Sequence, residues 1–211
     1  MRNYTQKARM KIWTIMAMCL LSTVALAQET LVDLVRAGHR EAVLAAITSP
    51  DIDIDAVTTD GSTALLWATY SVDHELVRGL LNAGAKADVT NNYGSTPLTE
   101  AVKLGDAELV RMLLNAGADP DSPSQDKQTA LMLASHIGLL EIAEMLIEHG
   151  ADVNVVEEFR GQTALMWAAA ENHPAIAELL IAHNAEVSVR AVHDDWQRQM
   201  TSEPRAQFRA T

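Results

Sequence analysis

The chain has 211 residues, a net charge of −12 at neutral pH and an aromatic content of only 4%, which predicts an aliphatic, alanine-rich core. Its 28 acidic residues outnumber its 16 basic ones, and a field of this sign repels phosphate backbones and anionic lipid. The charge therefore argues against binding to nucleic acid or to a membrane surface.

The first 27 residues have the pattern of an export signal. They carry four basic residues and no acidic one, an apolar run over 12–24, and a small-x-small cleavage site that ends at Ala27. An uncleaved membrane anchor is the alternative, but the run is nearer 15 residues than the ~20 of a spanning helix. We predict that the mature chain starts at Gln28, lies in the periplasm or is secreted, has a net charge of −16 (12 basic, 28 acidic residues) and lacks the sole cysteine, Cys19.

A degenerate unit over 28–59 comes next. Its sequence Gly-His-Arg-Glu at 38–41 corresponds to Gly-Leu-Leu-Glu at 138–141 in a later unit. Asp33 and Arg36 stand where later units have mostly apolar or small residues. A polar first unit is typical of the capping repeat of a solenoid.

Four clearer units follow, at about 60–92, 93–125, 126–159 and 160–189. Each has a threonine followed by Ala or Pro and then Leu, at Thr63, Thr96, Thr129 and Thr163. About 21 residues later each has Gly-Ala or Asn-Ala, starting at Gly84, Gly117, Gly150 and Asn184. Self-similarity at this period is the signature of a repeat protein.

Each unit is predicted to contain two helices. Its threonine can cap a short inner helix, and Pro97 suits the first position of one because its missing N–H would be unpaired there anyway. Gly61, Gly94 and Gly161 predict a tight turn before the threonine; the third of these four units has Lys127 instead, so its turn should differ. Gly105 and Gly138 end the inner helix, and apolar residues at helical spacing over 108–115 and 141–149 indicate an outer one.

Asn184 replaces the glycine that ends the outer helix, and asparagine is the next best residue for that left-handed site. The segment 190–211 is predicted to be an irregular tail or spacer. Either it folds back over the last unit through Trp196 and Phe208, or the chain is part of a longer protein.

Three stretches resemble ankyrin repeats: Gly-Ser-Thr-Pro-Leu at 94–98, Gly-Gln-Thr-Ala-Leu at 161–165, and Leu-Ile-Glu-His-Gly-Ala-Asp-Val-Asn at 146–154. The resemblance covers nearly all of the mature chain. It implies an all-α ankyrin-repeat solenoid of about five stacked helix-turn-helix units with hairpin-like loops, whose loops and inner helices form a concave binding face. With its export signal, the chain is similar to exported ankyrin proteins of Gram-negative bacteria.

One departure from the family pattern concerns the position three residues after the threonine. The family usually has a histidine there that bonds between loops, whereas this chain has Leu66, Thr99, Met132 and Met166. We expect hydrophobic contact to replace the hydrogen bond.

Large side chains on the face that the resemblance makes concave are the candidate protein-binding residues: Trp67, Tyr70, Glu100, Lys103, Leu133, His136 and Trp167. The loop tips add Asp60, Asn92, Tyr93, Asp126, Phe159 and Arg160. Trp and Tyr are enriched among residues that dominate binding energy. The alternative is that the tryptophans are half-buried packing between units.

The seven histidines do not have the spacing of metal ligands, so we expect no metal and no cofactor. His39 and His173 open outer helices, while His149 and His183 lie in last turns, where a histidine interacts well with the helix dipole. No catalytic motif is found, and we interpret Glu157-Glu158 and Asp194-Asp195 as solvated charge in loops.

We therefore predict an exported, non-catalytic scaffold, expected to be a monomer, that binds a protein partner and neither nucleic acid nor, after cleavage, a membrane. One alternative is a stress-protective or inhibitory partner of a periplasmic enzyme. A metal-independent hydrolase is the other.

Overall fold

The computed structural model describes residues 30–122, 124 and 128–190, so the predicted export signal and the tail after Arg190 lie outside it. The described residues form ten α-helices and no strand, and this confirms the predicted all-α class. In chain order the helices are α1 Leu31–Arg36, α2 Arg40–Ala46, α3 Ala64–Tyr70, α4 His74–Asn82, α5 Pro97–Leu104, α6 Ala107–Asn115, α7 Ala130–Ile137, α8 Leu140–Glu148, α9 Ala164–Ala170 and α10 Pro174–Ala182.

The helices form five antiparallel pairs, with an odd-numbered inner helix and an even-numbered outer helix in each. Every inner helix contacts the outer helix of its own unit and the inner helices of the neighbouring units. The outer helices also contact one another in chain order. The units are therefore stacked in sequence, as a solenoid requires.

Each predicted threonine caps its inner helix. The hydroxyl oxygen accepts a hydrogen bond from the amide three residues later, at distances between 3.1 and 3.4 Å in the four units. Thr30 does the same at the start of α1, where it accepts from the amide of Asp33 at 3.2 Å. Thr30 lies 33 residues before Thr63, so the first unit follows the common period from its first helix onward. Thr30 was not identified as a repeat threonine from the sequence.

The glycines predicted to be left-handed all have positive φ, and so does Asn184, with φ of 66°. The predicted register at both helix ends is thereby confirmed. Two further residues leave their inner helices with positive φ, Val72 at 56° and Asn172 at 59°. A β-branched residue in this region is a backbone outlier, because its Cβ crowds the carbonyl oxygen that follows.

The core runs along the stack between the two layers of helices. The first leucine of the inner helix is at most 2% exposed at Leu65, Leu98 and Leu131, whereas its equivalent in the last unit, Leu165, is only half-buried. Val187 is 74% exposed although its equivalent in the preceding unit, Val153, is buried. No described unit covers the last one, so its side chains lose burial that the repeat pattern alone would assign to them.

Carboxylate and amide side chains connect successive loops. Asp55, Asp88, Asp121 and Asn154, at intervals of 33 residues, each accept a hydrogen bond from a backbone amide of the next unit at 2.8 to 3.0 Å, and the donors are the amides of Lys86, Asp119, Asp152 and Glu186. Burial raises the pKa of Asp121 above the usual value for a carboxyl group. These bonds hold neighbouring loops at one spacing.

The interpretation of Glu157 as solvated charge is wrong. Glu157 is only 4% exposed, and its carboxylate accepts hydrogen bonds from the amides of Phe159, Arg160 and Gln162 at 2.7, 2.6 and 3.1 Å. Thr58, Asn91 and Ser124 hold the same position in earlier loops, each five residues before its threonine, whereas Glu157 stands six residues before Thr163. The longer side chain spans the one extra residue that makes the last interval 34 instead of 33. Lys127, in the loop predicted to differ, lies outside the described residues.

The residues that replace the family histidine do not all behave as expected. Met132 is buried in the apolar core, in agreement with hydrophobic replacement, whereas Leu66 is buried outside that core and Met166 is half-buried. Thr99 differs, since its hydroxyl accepts from the amide of Thr96 at 3.0 Å while Thr96 accepts from the amide of Thr99. In that unit a reciprocal capping box stands in the place of hydrophobic contact.

Candidate functional site

Several of the candidate residues line one cleft between the second and third units. The cleft has a volume of about 530 Å³ and lies where the inner helices α3 and α5 meet the loops that precede them. Nine residues line it: Asp60, Ser62, Leu66, Trp67, Tyr70, Asn91, Tyr93, Ser95 and Glu100. Five of these were predicted to be binding residues, namely Asp60, Trp67, Tyr70, Tyr93 and Glu100.

Trp67 is the half-buried centre of this group. The ring of Tyr70 meets it edge-on, with centroids 5.8 Å apart and an angle of 77° between the planes. The guanidinium of Arg36, from the first unit, lies 4.9 Å from the centroid of the Trp67 ring. The indole N–H is buried and has no hydrogen-bond partner among the described residues. Trp67 therefore packs on the core and also borders the cleft. Its position agrees both with packing between units and with contact to a partner.

Three of the charged candidates, Asp60, Glu100 and Lys103, have side-chain partners close by in the sequence. Lys103 forms an ion pair with Glu100 at 2.9 Å, one turn away on α5. Asp60 accepts hydrogen bonds from the hydroxyl groups of Thr58 and Ser62. The bond from the Thr58 hydroxyl is the main reason why the pKa of Asp60 is lower than that of an ordinary carboxyl group. Asp60 is therefore ionised at neutral pH.

A second set of candidates joins the fourth and fifth units. The imidazole of His136 meets the ring of Trp167 edge-on, with centroids 4.7 Å apart and an interplanar angle of 76°. His136 Nδ1 also lies 3.6 Å from a carboxylate oxygen of Glu171. Leu133, on the same helix as His136, is half-buried against the core. As with Trp67, the indole N–H of Trp167 is buried without a partner in the described part of the chain.

The loop tips differ in how free their side chains are. Tyr93 is 63% exposed and Phe159 is 69% exposed, and Arg160 is also exposed. The side-chain amide of Asn92 instead donates to the backbone oxygen of Thr59 at 3.2 Å, so it connects two loops. Asp126 lies outside the described residues. Tyr93 and Phe159 are thus the loop-tip residues with the most surface to offer a partner.

It was not predicted from the sequence that Arg36 contacts the binding residues or that Ser62, Asn91 and Ser95 line the cleft. Had Thr30 been recognised as a repeat threonine, Arg36 would have been placed on the inner helix next to α3, within reach of Trp67. Ser62, Asn91 and Ser95 line the cleft from the loops, but they also take part in local turn hydrogen bonds. Small polar residues in turns are common, so their types alone gave no signal.

Four of the histidines lie at the ends of outer helices. His39 and His173 precede the outer helices α2 and α10 without capping them, while Nδ1 of His149 and of His183 contacts a carbonyl oxygen four residues earlier, each at 2.8 Å. Across residues 30–122, 124 and 128–190, no three His, Cys, Asp or Glu side chains are grouped so that they could hold a metal ion. Over the same residues, no helix has the length and apolar character needed to cross a bilayer.

A search of curated proteins found no match to this chain. A family model described as ankyrin repeats (3 copies) matches it twice, over residues 31–124 and 116–191. Together these matches include all ten helices. Repeats of this kind generally serve as non-catalytic scaffolds for protein–protein interaction. From the period, the stacked helix pairs and this match, the chain belongs to the ankyrin-repeat family.

Proposed function

We propose that this protein is exported and binds a protein partner through the face formed by its inner helices and loop tips. The observation that carries the proposal is the exposure of large aromatic side chains on these elements. Tyr70 is 62% exposed on α3, Tyr93 is 63% exposed in the next loop, and both border the cleft that contains Trp67. Soluble monomers rarely expose neighbouring large apolar groups unless these make contacts with a partner.

The chemistry of the outer surface supports the same choice of face. Outer helices of successive units are linked by ion pairs, such as Arg78 to Glu108 at 2.9 Å and Arg111 to Glu141 at 3.2 Å. Exposed pairs of this kind contribute about 0–1 kcal/mol to stability, and they leave a hydrated, charged surface. Binding energy is usually concentrated in aromatic and arginine side chains. The exposed aromatic side chains of the described residues lie on the inner helices and loops, namely Tyr70, Tyr93 and Phe159.

Capture of a partner tests the binding face. The full chain is immobilised and exposed to a periplasmic extract from its own source, and retained proteins are identified by mass spectrometry. We expect the double variant Tyr70→Ala/Tyr93→Ala to lose proteins that the wild type retains, while Arg111→Ala on the outer surface retains them. If all three chains retain the same proteins, the inner face is not the binding surface.

Trp67→Ala separates binding from packing. We expect its helical circular dichroism to equal that of the wild type while capture falls, because the ring contributes contact area to the partner. Loss of helicity would instead assign the ring to packing between units.

Export has its own test. Expressed with its first 27 residues, the chain should be recovered from the periplasm with a mass that begins at Gln28. A purified chain that keeps these residues and stays with the membrane fraction would contradict the proposal.

A further inference from the structure

We propose that the cleft between the second and third units receives an arginine side chain from an extended segment of the partner. This inference rests on the proposed function and makes it more specific. The segment would lie along the inner helices, with its guanidinium among the rings of Trp67, Tyr70 and Tyr93 and near the carboxylates of Asp60 and Glu100.

The charge of the cleft favours a cation. Two of the nine lining residues, Asp60 and Glu100, are acidic and none is basic. The ammonium of Lys103, which pairs with Glu100, does not belong to the lining. The mature chain as a whole has a predicted net charge of −16, from 12 basic and 28 acidic residues, so a cationic segment would also be attracted from a distance.

The aromatic lining favours a flat cation. A guanidinium stacks on aromatic rings, and this attraction strengthens when water is excluded. The protein already contains one such contact, since the guanidinium of Arg36 lies 4.9 Å from the centroid of the Trp67 ring. Arg36 is not among the residues that line the cleft, so the cleft itself holds no such group.

Other segment types fit less well. An acidic or phosphorylated segment would bring like charge against Asp60 and Glu100. An apolar side chain would remove water from these carboxylates without adding a positive charge, and taking charge out of water is costly. The cleft volume of about 530 Å³ is within the range of pockets that bind small ligands, so one long side chain and its neighbours can enter it.

The test uses a random heptapeptide library displayed on phage and panned against the full chain. We expect the selected peptides to share one arginine. A synthetic copy should bind about tenfold more weakly when this arginine is replaced by lysine, and more weakly still when it is replaced by glutamate. Raising the salt concentration from 50 to 500 mM should weaken binding of the arginine peptide by a similar factor.

Variants assign the binding to the cleft. Asp60→Asn/Glu100→Gln keeps the side-chain shapes and removes both charges, so we expect about a tenfold loss of affinity with unchanged circular dichroism. Tyr93→Ala should also weaken binding. Arg111→Ala, on the outer helix α6, should have no effect.

The outcomes separate this inference from the proposed function. Selected peptides without a basic residue whose binding still depends on Tyr93 would overturn the arginine and leave the binding face in place. Peptides whose binding is unchanged in every cleft variant, or a library that yields no binder, would count against both.

Discussion

The second and last units have nearly the same inner helix, Thr-Ala-Leu-Leu-Trp-Ala-Thr-Tyr at 63–70 and Thr-Ala-Leu-Met-Trp-Ala-Ala-Ala at 163–170, but very different surroundings. In the second unit, Leu65 is 1% exposed and Thr69 is fully buried, whereas their equivalents Leu165 and Ala169 are half-buried and exposed. A third unit covers the second, and no described unit covers the last. In a stack of repeats, burial is decided by the next unit as much as by the residue itself.

The two tryptophans occupy the same repeat position but have different neighbours. Trp67 and Trp167 both stand four residues after the capping threonine, both meet another ring edge-on, and both bury their indole N–H. Trp67 contacts Tyr70 and Arg36 and borders the cleft that Tyr93 also lines, while Trp167 contacts His136. Residues that vary between units therefore give identical repeat positions different chemistry.

The largest expected difference between the two units is in the core. Leu65→Ala should lower the free energy of unfolding by about 3–4 kcal/mol, within the usual range for a fully buried leucine, because the stack cannot collapse around the cavity. Leu165→Ala should cost about 1 kcal/mol, since that side chain already meets solvent. Urea unfolding followed by circular dichroism gives both values. Equal losses would mean that the last unit is covered in solution.

The next largest difference in stability is expected in the loops that precede the two inner helices. Glu157→Ala before the last unit leaves three backbone amides without their carboxylate and should cost about 2 kcal/mol. Thr58→Ala, at the same position before the second unit, removes a hydroxyl that accepts from one amide and donates to the partly exposed carboxylate of Asp60, and it should cost about 1 kcal/mol. Both are measured by urea unfolding. A Thr58 variant that proves less stable than the Glu157 variant would contradict the assignment of Glu157 as the main support of its loop.

Both units leave the inner helix through a left-handed residue other than glycine, and the cost differs. Val72→Gly should raise the free energy of unfolding by about 1 kcal/mol, because it relieves a β-branched side chain at φ of 56°. Asn172→Gly should change it by only a few tenths, since asparagine tolerates this conformation. Thermal unfolding of the two variants decides the matter. If Val72→Gly brings no gain, Val72 is not strained.

The smallest expected effect on stability concerns a side-chain contact between the second and third units. Nε2 of His74 lies 2.9 Å from the Asp106 carboxylate, which caps α6. Burial opposes ionisation of Asp106, but hydrogen bonds from the amide of Leu109 and from His74 outweigh it, so the pKa of Asp106 is lower than that of an ordinary carboxyl group. The ionised form therefore adds stability above about pH 4, the unfolded value, and this is lost as the pH falls below it.

Asp106→Asn isolates that charge because asparagine can still cap the helix. At pH 6 the variant should be less stable by about 0.5 kcal/mol, the size of a solvent-screened pair, and the difference should shrink as the pH falls from 4 to 2. Urea midpoints across this range provide the measurement. A difference that stays constant with pH would exclude the charge as its cause.

The fold could be predicted from the sequence because its signals are local. Threonine caps, left-handed glycines and the period of 33 or 34 residues each depend on neighbours along the chain, and all reappear in the described units. Burial of Glu157 was not foreseen because a pair of glutamates in a loop looks the same whether its carboxylates face water or backbone amides. The positive φ of Val72 could not be predicted either, since the pattern provides a glycine there in only some units.

The candidate site was predicted less completely for a related reason. Trp67 and Tyr70 lie on one helix, so their proximity follows from helical spacing. That Tyr93 and Glu100 share a cleft with them depends on how one unit rests on another. The pairing of Glu100 with Lys103 is a matter of side-chain orientation, which the residue types do not decide.

The hydrogen bonds from Asp55, Asp88, Asp121 and Asn154 to the following loops have a practical consequence. The first three span 31 residues and the last spans 32, yet all four have nearly the same length, because the added residue lies at the loop tip beyond the bond. A tip can therefore lengthen without altering the pitch of the stack. These tips are suitable places to graft foreign recognition sequences, and the first place to try is between Glu157 and Gly161, in the loop that already has one residue more than the others.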